Sequence, residues 1–263
     1  MASWPLEISM DSFRRSWDLQ GESFWRNVFE MHKGKMQIKN SNIAIGNLEK
    51  IFTATFKLAN EKGFQAMSLR DLSRETGISM GGLYAYIGSK NDLASVIEGV
   101  LRNYIDQVIG GLSTQNLKPV ESLRAIVYAE IYMMETMSPW YYFCFMELKG
   151  LPREQQLQTL ELELRFEAIL IEAFRAGVED GQFVCEKPEL LASQVTAQLQ
   201  QWHLKRWKFK LRKIDTQEYA QFIFDNLLMC LAYKNDPGVE GKTENISNEQ
   251  SREEESSRLN LQA

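Results

Sequence analysis

The chain has 263 residues, a formal net charge of −5, and 44% hydrophobic and 25% charged residues, which is an ordinary globular composition. This length allows one large domain or two small ones. No apolar run approaches the roughly 20 residues of a membrane span, and the N-terminus lacks an apolar signal core, so we expect a cytoplasmic protein that does not insert into membranes. The three cysteines are widely spaced, and the two histidines, His32 and His203, are far apart. These residues favour reduced thiols, and we expect no metal site and no cofactor.

Composition divides the chain into four regions, and the absence of long β-type alternation makes the predicted fold class all-α. Residues 1–46 form an aromatic-rich, partly helical extension, 47–100 a compact run of short helices, and 101–234 a set of longer amphipathic helices. Residues 235–263 carry seven acidic against three basic side chains and are rich in Ser, Asn and Gln. Such a tail is predicted to be disordered, and the rest of the chain is close to neutral.

The aromatic residues of the extension fall near helical spacing, with Phe13, Trp17, Phe24 and Val28 as the clearest members. Acidic and basic residues are mixed in this segment, whereas an arm that binds DNA would be basic. We therefore predict one helix that packs against its own dimer. Met36 is an alternative start position for translation.

The second region begins with a predicted amphipathic helix that ends at Gly63, because glycine commonly follows the C-terminus of a helix. Ser68 is predicted to cap the next helix, and Asp71, three residues later, completes a capping box. This helix spans Leu69 to Thr76. Gly77 then breaks it, since glycine permits the backbone conformation that a tight turn needs.

Two more serine caps follow in the sequence. Ser79 is predicted to begin a third helix that runs to about Ile87, and Ser89 to begin a fourth that runs to about Ile109. Two short helices joined by a glycine turn are typical of a helix-turn-helix, in which the second helix enters the major groove of DNA.

Gly81 and Gly82 lie inside the third predicted helix, although each glycine costs about 1 kcal/mol relative to alanine in such a position. A bare backbone can approach phosphates and base edges where a side chain would collide. We therefore predict that the two glycines face DNA.

At this point the residues carry a specific resemblance. The segment "SLRDLSRETGISMGGLYAYIGSKNDL" resembles the helix-turn-helix of the TetR family of bacterial transcriptional regulators, and the similarity extends over about Asn47 to Val100. The matching positions are Ser68, Leu72-Ser73, Gly77-Ile78-Ser79, Gly81-Gly82-Leu83-Tyr84, Tyr86-Ile87, and Ser89-Lys90 with Leu93. The chain departs from the family pattern at Ser73, Met80 and Ile87.

The resemblance implies a set of DNA contacts in the second region. The implied residues are Ser68, Arg70, Ser79, Met80, Gly81, Gly82, Tyr84, Tyr86 and Lys90. Tyr84, Tyr86 and Lys90 would touch phosphates, while the segment from Ser79 to Gly82 would lie nearest the base edges. Core packing is the alternative for both tyrosines. Acidic residues balance the basic ones in this region, so we expect few charged phosphate contacts and a shallow salt dependence.

Five predicted helical segments follow the DNA-binding region. They are Pro119 to about Met137, a short aromatic segment from Pro139, Arg153 to Glu179, Pro188 to about Leu211, and Thr216 to Lys234. The family architecture implies that the last two form a dimer interface. Their apolar stripes are Leu191, Val195, Leu199 and Trp202, and Phe222, Ile223, Leu227 and Cys230. Ordinary intrachain core is the alternative for both stripes.

The middle helices are rich in aromatic residues and methionine, which suits a cavity for a large apolar ligand. The predicted ligand-binding residues are Tyr128, Tyr132, Met133, Met137, Trp140, Phe143 and Phe166. A plain hydrophobic core is the alternative. The basic and aromatic stretch "KRWKFKLRK" at 205–213 is interpreted as the end of a helix, with a nucleic-acid or membrane-surface patch as the other possibility.

The function predicted from these features is that of a ligand-responsive regulator of transcription. As the resemblance implies, it would be a homodimeric repressor that a small apolar effector releases from a palindromic operator. An interaction protein of the same fold is the alternative. No nucleophile motif, phosphate loop or metal-ligand spacing supports an enzyme.

Overall fold

The computed structural model describes residues 4–38, 40–147 and 153–234, and the predicted acidic tail lies outside them. Its α-helices are α1 (Met10–Ser16), α2 (Gly21–His32), α3 (Ser41–Lys62), α4 (Leu69–Thr76), α5 (Met80–Tyr84), α6 (Lys90–Val108), α7 (Pro119–Thr136), α8 (Ser138–Met146), α9 (Arg153–Glu179), α10 (Pro188–Leu204), α11 (Arg206–Leu211) and α12 (Thr216–Cys230). Short 3-10 helices lie at Lys33–Lys35 and Gly110–Thr114. The described ranges contain no β-strand, which confirms the all-α prediction. None of their helices is long and apolar enough to cross a lipid bilayer.

Most predicted helix ends coincide with observed ones because capping residues mark them. Gly63 follows α3 with a φ of 81°, and Gly77 follows α4 with a φ of 71°. Both φ values lie in a region that residues other than glycine rarely adopt. Pro119 is the first residue of α7, a position where its missing N–H costs nothing.

Helix α7 is the centre of the sensor half. Every residue from 125 to 134 is buried, as expected for a helix that is covered on all sides. Helices α8, α9, α10 and α12 pack around it. Helix α6 runs through the predicted domain boundary at residue 100 and also packs against α8 and α9, so it belongs to both halves.

The N-terminal extension differs from the single predicted helix. It forms two helices, α1 and α2, separated by a turn at residues 17–20. Gly21, at the start of α2, has a φ of 77°, which is incompatible with one continuous helix. The hydroxyl of Ser9 accepts a hydrogen bond from the Ser12 amide and caps α1. Both helices pack on their own chain, against α7 and α3 respectively.

Aromatic rings of the extension pack against rings in the rest of the molecule. The rings of Trp4 and Phe13 lie 5.7 and 5.5 Å from that of Tyr132 in α7. The ring of Trp25 stacks on Phe52 of α3 at 5.7 Å and lies 5.9 Å from Trp140 of α8. These contacts join the extension, the DNA-binding half and the sensor half in one hydrophobic core.

The predicted helix from Pro188 to Leu211 is broken into α10 and α11. Lys205 has a non-helical backbone, with φ −128° and ψ 32°. The break lets the Phe209 ring stack on Trp202 at 5.2 Å and approach Tyr219 at 4.6 Å. In a straight helix, residues 202 and 209 would be about 10 Å apart along the axis. The basic stretch at 205–213 therefore contains a short helix and is not only a helix end.

The predicted dimer stripes lie largely inside the chain. Val195, Leu199, Trp202, Ile223 and Leu227 are all buried against other helices of the same chain. Intrachain core, the alternative interpretation, is therefore the one that the structure supports for these five residues. Phe222 and Cys230, which belong to the predicted α12 stripe, are exposed, Phe222 to 62%. Leu190 and Met229, which lie outside the stripes, are 66% and 79% exposed.

Candidate DNA interface and effector cavity

The α4–α5 unit has the geometry of a helix-turn-helix. Leu72 and Leu83 are fully buried between the two helices. The Ser73 hydroxyl donates a 2.6 Å hydrogen bond to the carbonyl of Ile78, so this small side chain fixes the turn as well as permitting close packing. The left-handed Gly77 completes the change of direction.

The predicted caps are present at both helix starts. The hydroxyl of Ser68 and the carboxylate of Asp71 form a reciprocal capping box. A 2.8 Å ion pair with Lys62 and hydrogen bonds from Ser68 lower the pKa of Asp71. Ser79 accepts a 3.1 Å hydrogen bond from the amide of Gly82 and caps α5. The side-chain oxygens of both serines therefore already serve the helix ends, and their DNA contacts stay predictions.

One face of α5 is open to solvent. Ser79, Gly81 and Tyr84 are exposed and Met80 is half-buried. Arg70 is exposed on the preceding helix. These five residues are accessible from solvent, as a DNA-facing surface requires, and their place on that surface and their base and phosphate contacts stay predictions.

Tyr86 occupies a different environment from Tyr84. It is 4% exposed, whereas Tyr84 is 49% exposed. The Tyr86 hydroxyl accepts a 2.8 Å hydrogen bond from the side-chain amide of Asn47. Of the two possibilities left open by the sequence, this geometry favours core packing for Tyr86, while the exposure of Tyr84 is compatible with a DNA contact, which stays a prediction.

The two glycines of α5 have different surroundings. A Cβ at Gly81 would meet no atom within 4 Å. A Cβ at Gly82 would lie 2.9 Å from Cγ2 of Ile78 and 3.3 Å from the Ser79 hydroxyl. Packing inside the turn therefore accounts for Gly82, and an approach to DNA is the remaining physical reason for Gly81.

Lys90 has contacts that the sequence does not predict. Its ammonium group donates hydrogen bonds to the backbone carbonyls of Phe64 at 3.0 Å, Gln65 at 2.8 Å and Met67 at 3.1 Å. It also lies 5.1 Å from the centre of the Phe64 ring, and burial lowers its pKa. An ammonium group has three donors, so all of them are already used. The phosphate contact stays a prediction that this geometry does not favour.

Other cations of the DNA-binding half are paired as well. Lys57 and Lys62 lie 2.6 and 2.8 Å from the carboxylates of Glu75 and Asp71. Among the residues that the structure describes, Lys50 and Arg70 are exposed and are in no ion pair. Lys50 lies on α3, outside the predicted site. The small number of exposed cations without an ion pair in the described part of this half agrees with the shallow salt dependence of DNA binding that the sequence predicts.

The predicted ligand residues fall into four groups and do not share one large cavity among the described residues. Tyr128 and Tyr132 donate hydrogen bonds from their hydroxyls to Gln221 and Gln217 of α12. Trp140 and Phe143 face α3, and Phe166 lines a small internal cavity. Met133 and Met137 are buried within the bundle. Their roles as ligand contacts stay predictions.

A larger cleft lies between α6, α7 and α9. Its volume is about 700 Å³, which falls within the range of about 300–1,000 Å³ typical of ligand pockets. Ile126 and Ile169 line its apolar part, and Arg165 forms an ion pair with Asp106 across it. Sequence reasoning missed this cleft. The signal available was the series of small residues on one side of α9, at Ala168, Ala173 and Ala176.

We predict that Gly81→Leu retains the fold and loses DNA binding, whereas Gly82→Ala destabilises the turn. The first side chain would project into open space toward the groove, and the second would press on Ile78. Thermal unfolding and an electrophoretic mobility shift assay separate the two effects. Full operator affinity in a folded Gly81→Leu protein would contradict the proposed approach of the backbone to DNA.

We predict that Lys90→Met lowers the free energy of unfolding by about 1–3 kcal/mol, because three carbonyls lose a charged donor. The affinity for all DNA sequences should fall, while the dependence of log K on log salt keeps its slope. Lys50→Met, which changes an exposed lysine of the same domain, is the control for stability. A slope reduced by about 0.9 with unchanged stability in Lys90→Met would instead indicate a phosphate contact.

Two family models match this chain. The model described as "Bacterial regulatory proteins, tetR family" matches residues 51–97, and "Tetracyclin repressor-like, C-terminal domain" matches residues 116–207. Together they cover just over half of the chain. The first includes α4, α5 and the start of α6, and the second includes the helices around α7.

Individual proteins are similar over most of the chain. The HTH-type transcriptional regulator HbdR of Aromatoleum sp. (strain CIB) is 25% identical over 185 residues, which are 69% of this chain and 77% of that protein. The structure of FadR from Bacillus subtilis in complex with stearoyl-CoA has a TM-score of 0.56 and 15% identity, covering 70% of this chain and 98% of that one. The structure of AibR in complex with isovaleryl coenzyme A and operator DNA has a TM-score of 0.59 and 18% identity, covering 72% and 100%.

These likenesses agree with the geometry of α4 and α5 and with the helical bundle that follows them. The models cover the two halves of the described chain in the order that the sequence predicts. The chain belongs to the TetR family of bacterial transcriptional regulators, which bind DNA and are not enzymes.

Proposed function

We propose that the protein is a homodimeric repressor, acting in the cytoplasm, that leaves a palindromic operator when an acyl-CoA-like effector occupies the cleft between α6, α7 and α9. Two recognition helices, one from each protomer, would read two half-sites about 34–36 Å apart or a multiple of that distance. The bound dimer would then block transcription sterically. The proposal that the protein represses transcription, and does not activate it, rests on the resemblance to the family.

The observation that carries this proposal is the position of α6. Its first residue, Lys90, binds the carbonyls of the α3–α4 turn, and Asp106, near its other end, lines the cleft. A helix of 19 residues is about 28 Å long, so α6 spans the distance between the two sites. A ligand that displaces the cleft end of α6 would therefore shift the helix-turn-helix and change the spacing of the two recognition helices.

The lining of the cleft supports the effector class. Ile126 and Ile169 offer apolar surface, and the half-exposed Arg165 offers a cation at the rim, where an anionic head would compete with its ion pair to Asp106. An apolar chain with an anionic head matches this combination. FadR and AibR, which share the fold, were each solved with an acyl-coenzyme A. The apolar effector expected from the sequence thus becomes an acyl thioester in a different cavity from the predicted aromatic one.

The outward-facing residues of α10 and α12 support the homodimer. Phe222 and Met229 lie two turns apart on α12, and Leu190 lies on α10, which packs against it. A contiguous apolar patch on such a surface commonly marks a protein interface. In this arrangement the buried Leu199 and Leu227 would stabilise each protomer and would not hold the dimer together.

We predict that acyl-CoA thioesters release the protein from DNA that is selected from a random pool. Ala173→Leu, which fills the cleft, should abolish this release with little change in operator affinity, and Ala173→Ser is the control of similar size. Fluorescence anisotropy of labelled operator measures release, and calorimetry measures thioester binding with and without DNA. Both titrations should give the same coupling free energy, of about 1–3 kcal/mol.

Two outcomes would count against this proposal in different ways. Selection of no DNA would favour the alternative of an interaction protein with the same fold. Operator binding that no acyl-CoA weakens would remove the effector class and leave the DNA-binding function in place.

We predict that Phe222→Glu combined with Met229→Glu dissociates the dimer, because charges would replace apolar contacts, and that operator binding is lost with it. Leu164→Glu changes an exposed leucine of α9 and is the control. Analytical ultracentrifugation gives the mass of each species. A double variant that remains dimeric, or a monomer with full operator affinity, would contradict the predicted interface.

A further inference from the structure

A second cavity lies farther along the same three helices. Its volume is about 20 Å³, and its walls include Ile105 of α6, Glu130 and Met134 of α7, and Phe166 of α9. Helices α8 and α10 close it. This internal cavity is large enough for about one water-sized group.

The cleft and the internal cavity are neighbours along the interface of α6, α7 and α9. Ile105 of the internal cavity adjoins Asp106 of the cleft in α6. In α7, Glu130 lies one helical turn beyond Ile126, and in α9, Phe166 lies one turn before Ile169. The two spaces therefore follow each other, with the cleft at the outer end and the small cavity at the inner end.

The inner end contains polar groups that lack partners. Thr196 is 4% exposed, and its hydroxyl has no hydrogen-bond partner among the described residues. The side-chain amide nitrogen of Gln200, one turn later on α10, is also without one in that part of the chain. Leaving such groups unpaired in an apolar interior costs stability, so we expect a polar partner beside them.

The third polar group is the carboxyl of Glu130, which is 3% exposed and accepts a 2.9 Å hydrogen bond from the Tyr141 hydroxyl. Burial raises the pKa of Glu130 to about 8. At neutral pH the carboxyl is therefore mostly protonated and can donate a hydrogen bond. Thr196, Gln200 and Glu130 thus offer three donors, which match an oxygen acceptor. The half-buried carboxylate of Glu163 also lines the cavity and can accept a hydrogen bond from a hydroxyl.

We propose that the internal cavity is the inner subsite of the effector site and binds a hydroxyl or carbonyl oxygen at the far end of the effector's apolar chain. This inference rests on the proposed effector site and adds to it a preference for effectors that carry an oxygen at the far end of the chain. The anionic head would stay at Arg165, and the chain would run past Ile126. Binding requires the side chains between the two spaces, Ile105 and Phe166 among them, to move apart.

The test compares chains with and without an oxygen at the far end. The full-length protein is titrated by calorimetry with dodecanoyl-CoA and with ω-hydroxydodecanoyl-CoA. The free dodecanoic and ω-hydroxydodecanoic acids, which lack the nucleotide, form a second arm. We expect the wild-type protein to prefer the hydroxylated chain in both arms.

Thr196→Val removes the hydroxyl and keeps the side-chain shape. It should lower the preference for the hydroxylated chain about tenfold, the equivalent of one hydrogen bond. Thr136→Val is the matched control, because the Thr136 hydroxyl is also buried without a partner in the described residues but lies outside the cavity. It should leave the preference unchanged.

The outcomes separate this inference from the proposed function. Equal affinity for plain and hydroxylated chains in the wild-type protein, or an unchanged preference in a folded Thr196→Val variant, would overturn the inner subsite while acyl-CoA-dependent release of operator still stands. No binding of any chain in either arm would overturn the subsite and the effector class together.

Discussion

Three backbone carbonyls converge on the ammonium group of Lys90, and the rest of the DNA-binding half depends on this arrangement. The carbonyls belong to the turn between α3 and α4, and Lys90 is the first residue of α6. One charged group therefore fixes both the start of the helix-turn-helix and the helix that enters the sensor half. Because all its donors are used, we expect the lysine to influence DNA binding through the positions of α4 and α5. A free lysine at this place could contact a phosphate but could not connect the two halves.

Aromatic packing makes the second connection between the halves. Trp140 of α8 lies within about 6 Å of the rings of Phe24, Trp25 and Phe52, which come from α2 and α3. The sequence shows an excess of aromatic residues after Pro139, which favoured a ligand cavity. In this chain the N-terminal extension supplies much of the aromatic surface that these residues contact. The larger cleft lies instead where α9 presents alanines, because small side chains leave room between helices.

The sequence predicts the helices well where a residue has a unique backbone role. Gly63 and Gly77 adopt left-handed conformations, and Ser68 forms the expected capping box, so the ends of α3 and α4 could be predicted. The break at Lys205 could not, because lysine is compatible with a helix and the break accompanies the stacking of Phe209 on Trp202 and its contact with the distant Tyr219. Apolar periodicity likewise identifies a buried face but does not say whether the burying surface belongs to the same chain. For that reason the stripe of α12 indicated an interface, whereas Ile223 and Leu227 proved to be core and Phe222 and Cys230 are exposed.

The same limit applies to the candidate site. Exposure of Tyr84 and the open space at Gly81 agree with a surface that faces DNA, since these positions follow from a local motif of fixed geometry. The contacts of Lys90 depend on a turn 23 to 26 residues earlier in the chain, and no local pattern reveals them. The polar residues around Glu130 come from three helices, so only the folded chain brings them together.

The extension also ties the stability of the protein to the integrity of its first helices. The amide of Gln37 donates a 2.9 Å hydrogen bond to the carbonyl of Ala85, directly after α5, and the rings of Phe13 and Trp25 cover Tyr132 and Trp140. A protease that cut near residue 36 would uncover these rings to water. The cleaved chain would then expose an apolar aromatic surface. Such a surface favours aggregation and further proteolysis. The cellular lifetime of such a regulator would be set at its N-terminus, far from the surface that faces DNA.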